Sequence, residues 1–149
     1  MRISGRHAID CQREELFEKL LDPAFMAQCI PGCEKLEGRP GGGFDATIRV
    51  HYGLIRGAFT GKVDLRDVIH PSGYTMEFTG AGRLGSLRGT SRMALEPLEG
   101  SRTEVSFDTD VQLGGLLGRL GDHLIPGDAS EFSSHFFMVL EKAIRNGRS

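Results

Sequence analysis

From Cys33 to Leu113 the sequence holds a period of two. That single property limits the fold more than any other. Phe44, Ala46, Ile48 and Val50 alternate with Asp45, Thr47 and Arg49. Phe59, Val63 and Leu65 alternate with Thr60, Lys62, Asp64 and Arg66. Tyr74, Met76 and Phe78 alternate with Thr75, Glu77 and Thr79, and Leu87, Ser91, Met93 and Leu95 with Arg88, Arg92 and Glu96. Val105, Phe107, Thr109, Val111 and Leu113 close the series. Side chains of a strand point to opposite faces in turn, so each segment has one dry and one wet face. Turn signals separate them: PGGG, HPSG and, after Pro97, EGSR. The expectation is an antiparallel sheet solvated on one side. Arg88 and Arg92 are expected to meet Glu104, Asp108 or Asp110 across strands, each pair worth roughly 0.2–1 kcal/mol.

Both flanks read differently. Arg2–Asp10 alternates as a first strand. Asp10 is the expected N-cap of CQREELFEKLL, whose Leu16, Phe17, Leu20 and Leu21 form an apolar face at helical spacing. Asp22-Pro23 restarts a helix, with Asp as cap and Pro in the first turn, and AFMAQCI ends at Pro31-Gly32. After Gly114 the period is again helical. GGLLGRLGDHLI is followed by Pro126-Gly127 and by DASEFSSHFFMVLEKAIRN, where Phe132, Phe136, Val139, Leu140 and Ala143 share a face. The order predicts one α+β domain over residues 1–149: a strand, two short helices, a meander and a long terminal helix.

Glycine is over-used, at 21 of 149 residues against a usual ~7%. Gly57, Gly61, Gly80, Gly82, Gly85 and Gly89 lie in or beside strands, where glycine marks bends and close approaches. Gly61 and Gly89 share parity with the apolar residues. A bent sheet lacking those side chains, closed by an apolar helix, is expected to enclose an internal cavity.

Few motifs carry chemistry. GAGRLG at 80–85 fits GxGxxG, but SLRGTSRMALEPL after it alternates as a strand where a dinucleotide site needs a helix. GAFTGKV at 57–63 is one residue short of a P-loop and has Val where Ser or Thr must hold Mg²⁺. The five histidines include no helical ligand pair. Cys29 and Cys33 in CIPGC lack the two further ligands a zinc site needs, and CxxxC is not a thioredoxin spacing. No metal or cofactor is expected. A net charge of −2 gives no reason to expect nucleic acid. Neither a leader nor a membrane span is read, so the cytoplasm is the expected location.

LLDPAFMAQCIPGCEKLE, IRGAFTGKVDLRDV, GAGRLGSLRGTSRMALEP and TEVSFDTDVQLGGLLGRLG together closely resemble the CoxG family, the G-type subunits named for carbon monoxide dehydrogenase. Its members belong to the START-like, helix-grip (SRPBCC, START/Bet v-like) superfamily. The resemblance spans nearly the whole sequence. It implies a curved antiparallel sheet of about seven strands around a long C-terminal helix, with CIPGC as a metal-free turn. It also implies an accessory protein without catalysis, serving a molybdenum-containing CO dehydrogenase-like complex through maturation, membrane recruitment or electron-acceptor supply. A quinone or lipid would occupy the cavity. Two features depart from the family pattern. Many relatives carry a tail that reaches the inner membrane face, whereas RNGRS follows the helix here, leaving peripheral membrane contact open. Pro126 is also expected to break or kink a helix that relatives keep continuous.

The expected cavity wall is Leu65, Met76, Phe78, Met93, Phe107, Leu117, Phe132, Phe136 and Leu140, with Ser91, Thr109 or His135 orienting a ligand. The superfamily also contains small cyclases and hydratases. That alternative needs an acid and base in the cavity, and Asp67 is the nearest candidate. A third reading is a protein adaptor with a filled core.

Overall fold

The computed structural model describes residues 2–52, 55–121 and 126–147, with side-chain environments assigned outside 52, 55, 120–121 and 126–132. The strands are β1 (Arg2–Ile9), β2 (Cys33–Gly38), β3 (Phe44–Tyr52), β4 (Ile55–Ile69), β5 (Gly73–Gly82), β6 (Gly85–Leu98) and β7 (Arg102–Gly114). The helices are α1 (Arg13–Leu20), α2 (Pro23–Cys29), α3 (Leu116–Gly121) and α4 (Pro126–Asn146). All seven strands form one antiparallel sheet in the order β1-β7-β6-β5-β4-β3-β2. Consecutive strands from β2 to β7 pair with one another, and β1 closes onto β7. This is the helix-grip arrangement that the resemblance implies.

Local chemistry explains most boundaries. The Asp22 side chain accepts a hydrogen bond from the Ala24 N–H at 3.0 Å, satisfying one of the orphan donors at the start of α2, and Pro23 follows as the first helical residue. The parallel expectation for Asp10 fails. Gln12 is the residue before α1, and no side chain caps that helix. Pro126 is the first residue of α4, where a missing N–H costs nothing, so it starts that helix and does not kink it. GAGRLG is a hairpin: Gly82 pairs with Gly85 across Arg83-Leu84.

The core gathers where α1, α2 and the C-terminal half of α4 cover one end of the sheet. Ile9, Leu16, Leu20, Leu95, Val105, Leu140 and Ile144 are all buried there. Buried Thr103 donates to the Cys11 carbonyl at 2.7 Å, tying the start of β7 to the chain beyond β1. Burial of each large side chain is worth ~1.5–3 kcal/mol.

The wet face is laced with charge. Arg2 forms two parallel bonds to Asp108, at 2.9 and 2.6 Å, and this contact holds the Asp108 carboxyl below its usual range. Arg66 pairs with Glu77 at 2.9 Å. The expected partners of Arg88 and Arg92 are therefore partly corrected. Register sets Arg88 opposite Gln112, to which it donates at 3.0 Å, and sets Arg92 opposite an Asp108 already engaged by Arg2. Each exposed pair contributes about 0–1 kcal/mol and serves mainly to fix register.

Candidate functional site

Strand register converts the sequence alternation into cross-sheet rows on the dry face. One row runs Gly5, Phe107, Met93, Tyr74. The next runs Ile3, Thr109, Ser91, Met76, Leu65. A third holds Val111, Gly89, Phe78, Val63 and Phe44. A fourth holds Leu113, Leu87, Gly80, Gly61 and Ala46. Leu65, Met76, Phe78, Ser91, Met93, Phe107 and Thr109 therefore form one contiguous patch. Leu65, Met76, Phe78, Met93, Phe107 and Thr109 are only half-buried, although they share a face with fully buried Leu95 and Val105. Ser91 is the low point, 4% exposed, and its hydroxyl lies 2.8 Å from that of Thr109.

The helical members of the expected wall behave differently. Leu117 is buried where α3 meets the β5–β6 hairpin, and the Leu117 N–H donates to the Leu84 carbonyl. Leu140 is completely buried in the core and Phe136 is half-buried beside it. Phe132 lies outside the residues whose side chains are described. His135 is exposed and is not brought to the dry face. The reason is helical phase. The buried stripe of α4 is Phe137, Leu140 and Ile144, and at about 100° per residue position 135 lies on the opposite side. The stripe chosen from sequence, through Phe136, Val139 and Ala143, is the half-buried flank.

Two residues outside the expected wall belong to this region. Phe137 is 5% exposed. His7 stacks on its ring at 4.2 Å between centroids and lies parallel to Phe107 at 6.2 Å. Burial pushes the His7 imidazole below its usual pKa, with Glu141 of α4 opposing the shift. Both could have been found: His7 shares parity with Ile3 and Ile9, and Phe137 lies three residues before Leu140 and seven before Ile144.

The glycines do not thin the wall as the sequence suggests. A Cβ at Gly89 would lie 2.6 Å from Cζ of Phe78, and a Cβ at Gly5 would lie 3.0 Å from the Phe107 ring. Each missing side chain is replaced by the aromatic ring paired across from it. At Gly61 a Cβ would lie 2.8 Å from Cα of Gly80 and collide with the Thr79 carbonyl, so the backbones themselves meet. These glycines bend the sheet and let rings lie flat on it.

Other candidates resolve plainly. Cys29 is buried and its thiol is pushed up to about 11 by burial, which suppresses the thiolate. Cys33 is half-buried, and none of the three cysteines is in a disulfide. In CIPGC, Gly32 adopts φ +77°, and its carbonyl accepts from the Arg49 N–H at 2.8 Å. A Cβ there would strike the Arg49 carbonyl, so the stretch is a turn that only glycine closes. Among the described residues no group of His, Cys, Asp and Glu is arranged for a metal ion. Asp67 follows Leu65 by two residues, but the register shifts between Arg66 and Ile69, Asp67 takes φ +53°, and its side chain is exposed. The dry-face positions of the described strands carry no carboxylate. Among the described residues, shallow grooves of about 490, 480 and 350 Å³ open beside wet-face side chains such as Lys62, Arg92 and Asp110.

The sequence matches the CoxG family, described as the G subunit of carbon monoxide dehydrogenase, over residues 5–145. No curated protein matches it. A conserved protein from Geobacillus kaustophilus superposes with a TM-score of 0.90 at 23% identity, covering 98% of this chain and 96% of that one. A START superfamily protein from Mycobacterium smegmatis gives 0.72 at 13% identity, with 97% of each chain covered. The ZhuI aromatase/cyclase from Streptomyces sp. R1128 gives 0.71 at 16% identity, covering 100% of this chain and 96% of the other. At these identities the likeness is one of fold.

Proposed function

Because the chain belongs to the CoxG family of carbon monoxide dehydrogenase subunits, we propose that it is a non-catalytic accessory protein that holds a hydrophobic small molecule, lipid-like or quinone-like, for a molybdenum oxidoreductase. The observation that carries this reading is the half-buried patch. Leu65, Met76, Phe78, Met93 and Phe107 lie on the core side of the sheet, yet they stay only half-buried. An apolar surface of this kind, inside the grip of α4 and away from the charged face, gains when an apolar molecule displaces water from it, at roughly 25 cal/mol per Å². Met76 and Met93 suit an irregular guest because thioether side chains adapt in shape. The flank of α4 that carries Phe136 would complete the wall.

The partner enzyme follows from the family name and fits a small protein with a solvated, charge-laced outer sheet. Among the described residues no helix is long and apolar enough to cross a membrane. Native mass spectrometry of the protein extracted under gentle conditions tests the reading. The expected result is a mass increment from a retained apolar molecule, or uptake of an added quinone with a long side chain. A chain that never retains or takes up any apolar compound would contradict the proposal. Co-purification with a molybdenum enzyme by such an empty chain would favour an adaptor role.

A further inference from the structure

Among the described residues five large apolar side chains are exposed, and three of them stand together at the helix-covered end of the sheet: Val68 at 48%, Ile69 at 65% and Leu98 at 39%. The β4–β5 and β6–β7 turns that carry them are joined, because the Leu95 N–H donates to the Ser72 carbonyl at 2.8 Å. Helix α1 borders the same spot. The His70 ring meets the Phe17 ring edge-on at 4.9 Å, and its Nε2 lies 4.0 Å from Glu18. Strict alternation after Leu65 would send Ile69 to the dry face, but the register shift between Arg66 and Ile69 turns it outward. A large apolar side chain left in water forgoes ~1.5–3 kcal/mol of burial.

Carboxylates rim these turns without matching cations. Glu96 and Glu104 sit directly opposite each other on β6 and β7, and the next residue in that row is Ala8 of β1. Like charges in register are unfavourable, and neither glutamate forms an ion pair with a described residue. Asp67 and Glu99, beside Val68 and Leu98 in the chain, are likewise unpaired. The arginines of the same segments are Arg66, engaged by Glu77 at 2.9 Å, and Arg102. An apolar centre inside a polar rim is the layout of a protein–protein interface, and the sign of the rim selects the occupant. A second copy would bring the same carboxylates against this face. An anionic lipid surface is repelled by them. A cationic partner relieves the repulsion between Glu96 and Glu104 on arrival.

We infer that the β4–β5 and β6–β7 turns form a docking surface for a basic protein segment, whose apolar side chains cover Val68, Ile69 and Leu98 while its lysines or arginines neutralise Glu96, Glu99 and Glu104. None of these residues belongs to the half-buried patch, so the inference stands whether or not that patch holds a guest.

The test is fluorescence anisotropy of the full chain with a labelled amphipathic peptide of leucine and lysine, read against two relatives that carry serine for leucine or glutamate for lysine. The leucine–lysine peptide is expected to bind about tenfold tighter than either relative, with an affinity that falls as salt rises. Ile69→Ser combined with Leu98→Ser removes the apolar centre and is expected to weaken that binding about tenfold. Glu96→Gln combined with Glu104→Gln is expected to flatten the salt dependence, and to raise the urea midpoint because like charges no longer face each other. Asp110→Asn, elsewhere on the wet face, is expected to leave peptide binding unchanged. Full binding by the double serine variant, equal binding of the glutamate peptide, or no binding of the leucine–lysine peptide would overturn the inference. So would a dimer in sedimentation velocity, or attachment to phosphatidylglycerol vesicles, that the same serine substitutions abolish, since the face would then belong to a second copy or to a lipid surface.

Discussion

The two ends of the dry face use the same alternation and the same kinds of residue, yet they differ in what lies opposite them. At one end Ile9, Leu95 and Val105 meet Leu16 and Leu20 of α1 and Leu140 and Ile144 of α4, and nothing is left open. A row or two further along the same strands, Phe107, Met93, Met76 and Leu65 are still half-exposed. Strand parity decides which face is dry. Coverage by helices decides whether a dry face becomes core or remains a surface that can receive a guest. The sealed end supplies the stability that the open end gives up, in line with the general placing of functional surface in the less stable parts of a fold.

The contrast predicts unequal costs of truncation, and this is its most demanding test. Leu140→Ala at the sealed end removes a side chain with no exposed area, leaves a cavity and should cost ~2–5 kcal/mol in urea unfolding. Leu65→Ala at the open end should cost less than about 2 kcal/mol, because no enclosed void has to be kept. Equal losses would mean that the open end is ordinary core.

The next effect concerns how the open end is paved. Gly89→Ala places a methyl group 2.6 Å from Cζ of Phe78 and 2.5 Å from the Asp110 carbonyl. The ring must lift or the strands must part, at a cost of ~1–3 kcal/mol. Gly41→Ala is the control from outside the patch. Nothing lies within 4 Å of a Cβ there, and the cost is only that of φ +89° for a residue with a side chain, about 1 kcal/mol. If Gly89→Ala proves neutral in thermal unfolding, the ring does not rest on that glycine.

The sequence was informative about the first of these two ends and misleading about the second, for physical reasons. Alternation is a backbone property with a fixed period, so six of the seven strands and the identity of the dry face could be read directly, and register follows once hairpins join neighbours. Asp22-Pro23 likewise declares a helix start through local bonds. Phase on α4 was harder. Its apolar residues cover more than one stripe, so Phe136 and Val139 looked as eligible as Phe137, and only packing against Ile9 and Val105 decides which side turns inward. That choice also misplaced His135 and overlooked His7. The glycines misled for a different reason. A sequence shows that a side chain is missing but not which neighbour fills the space, and Phe78, Phe107 and the β5 backbone fill it here. The Asp10 cap failed because the chain runs two more residues, through buried Cys11, before its helix begins.

The smallest expected effect lies on the boundary between the two ends, at His7. Its neighbours are the rings of Phe107 and Phe137, the edge of Gly5 and the carboxylate of Glu141. Burial lowers its pKa in the folded chain, and Glu141 opposes this only in part. The unfolded chain then binds a proton that the folded chain refuses, so folding stability must fall as pH drops below the unfolded value of about 6.5. The loss stops growing once the pH passes below the folded pKa, where both states are protonated. Urea midpoints measured between pH 7.5 and 5 should therefore decline in that window, and His7→Phe, which keeps the stack and removes the titration, should flatten that part of the decline. A wild-type midpoint that rises on acidification through the same window would mean that Glu141 outweighs burial, and the imidazole would then belong to the solvated end of the face and not to the dry one.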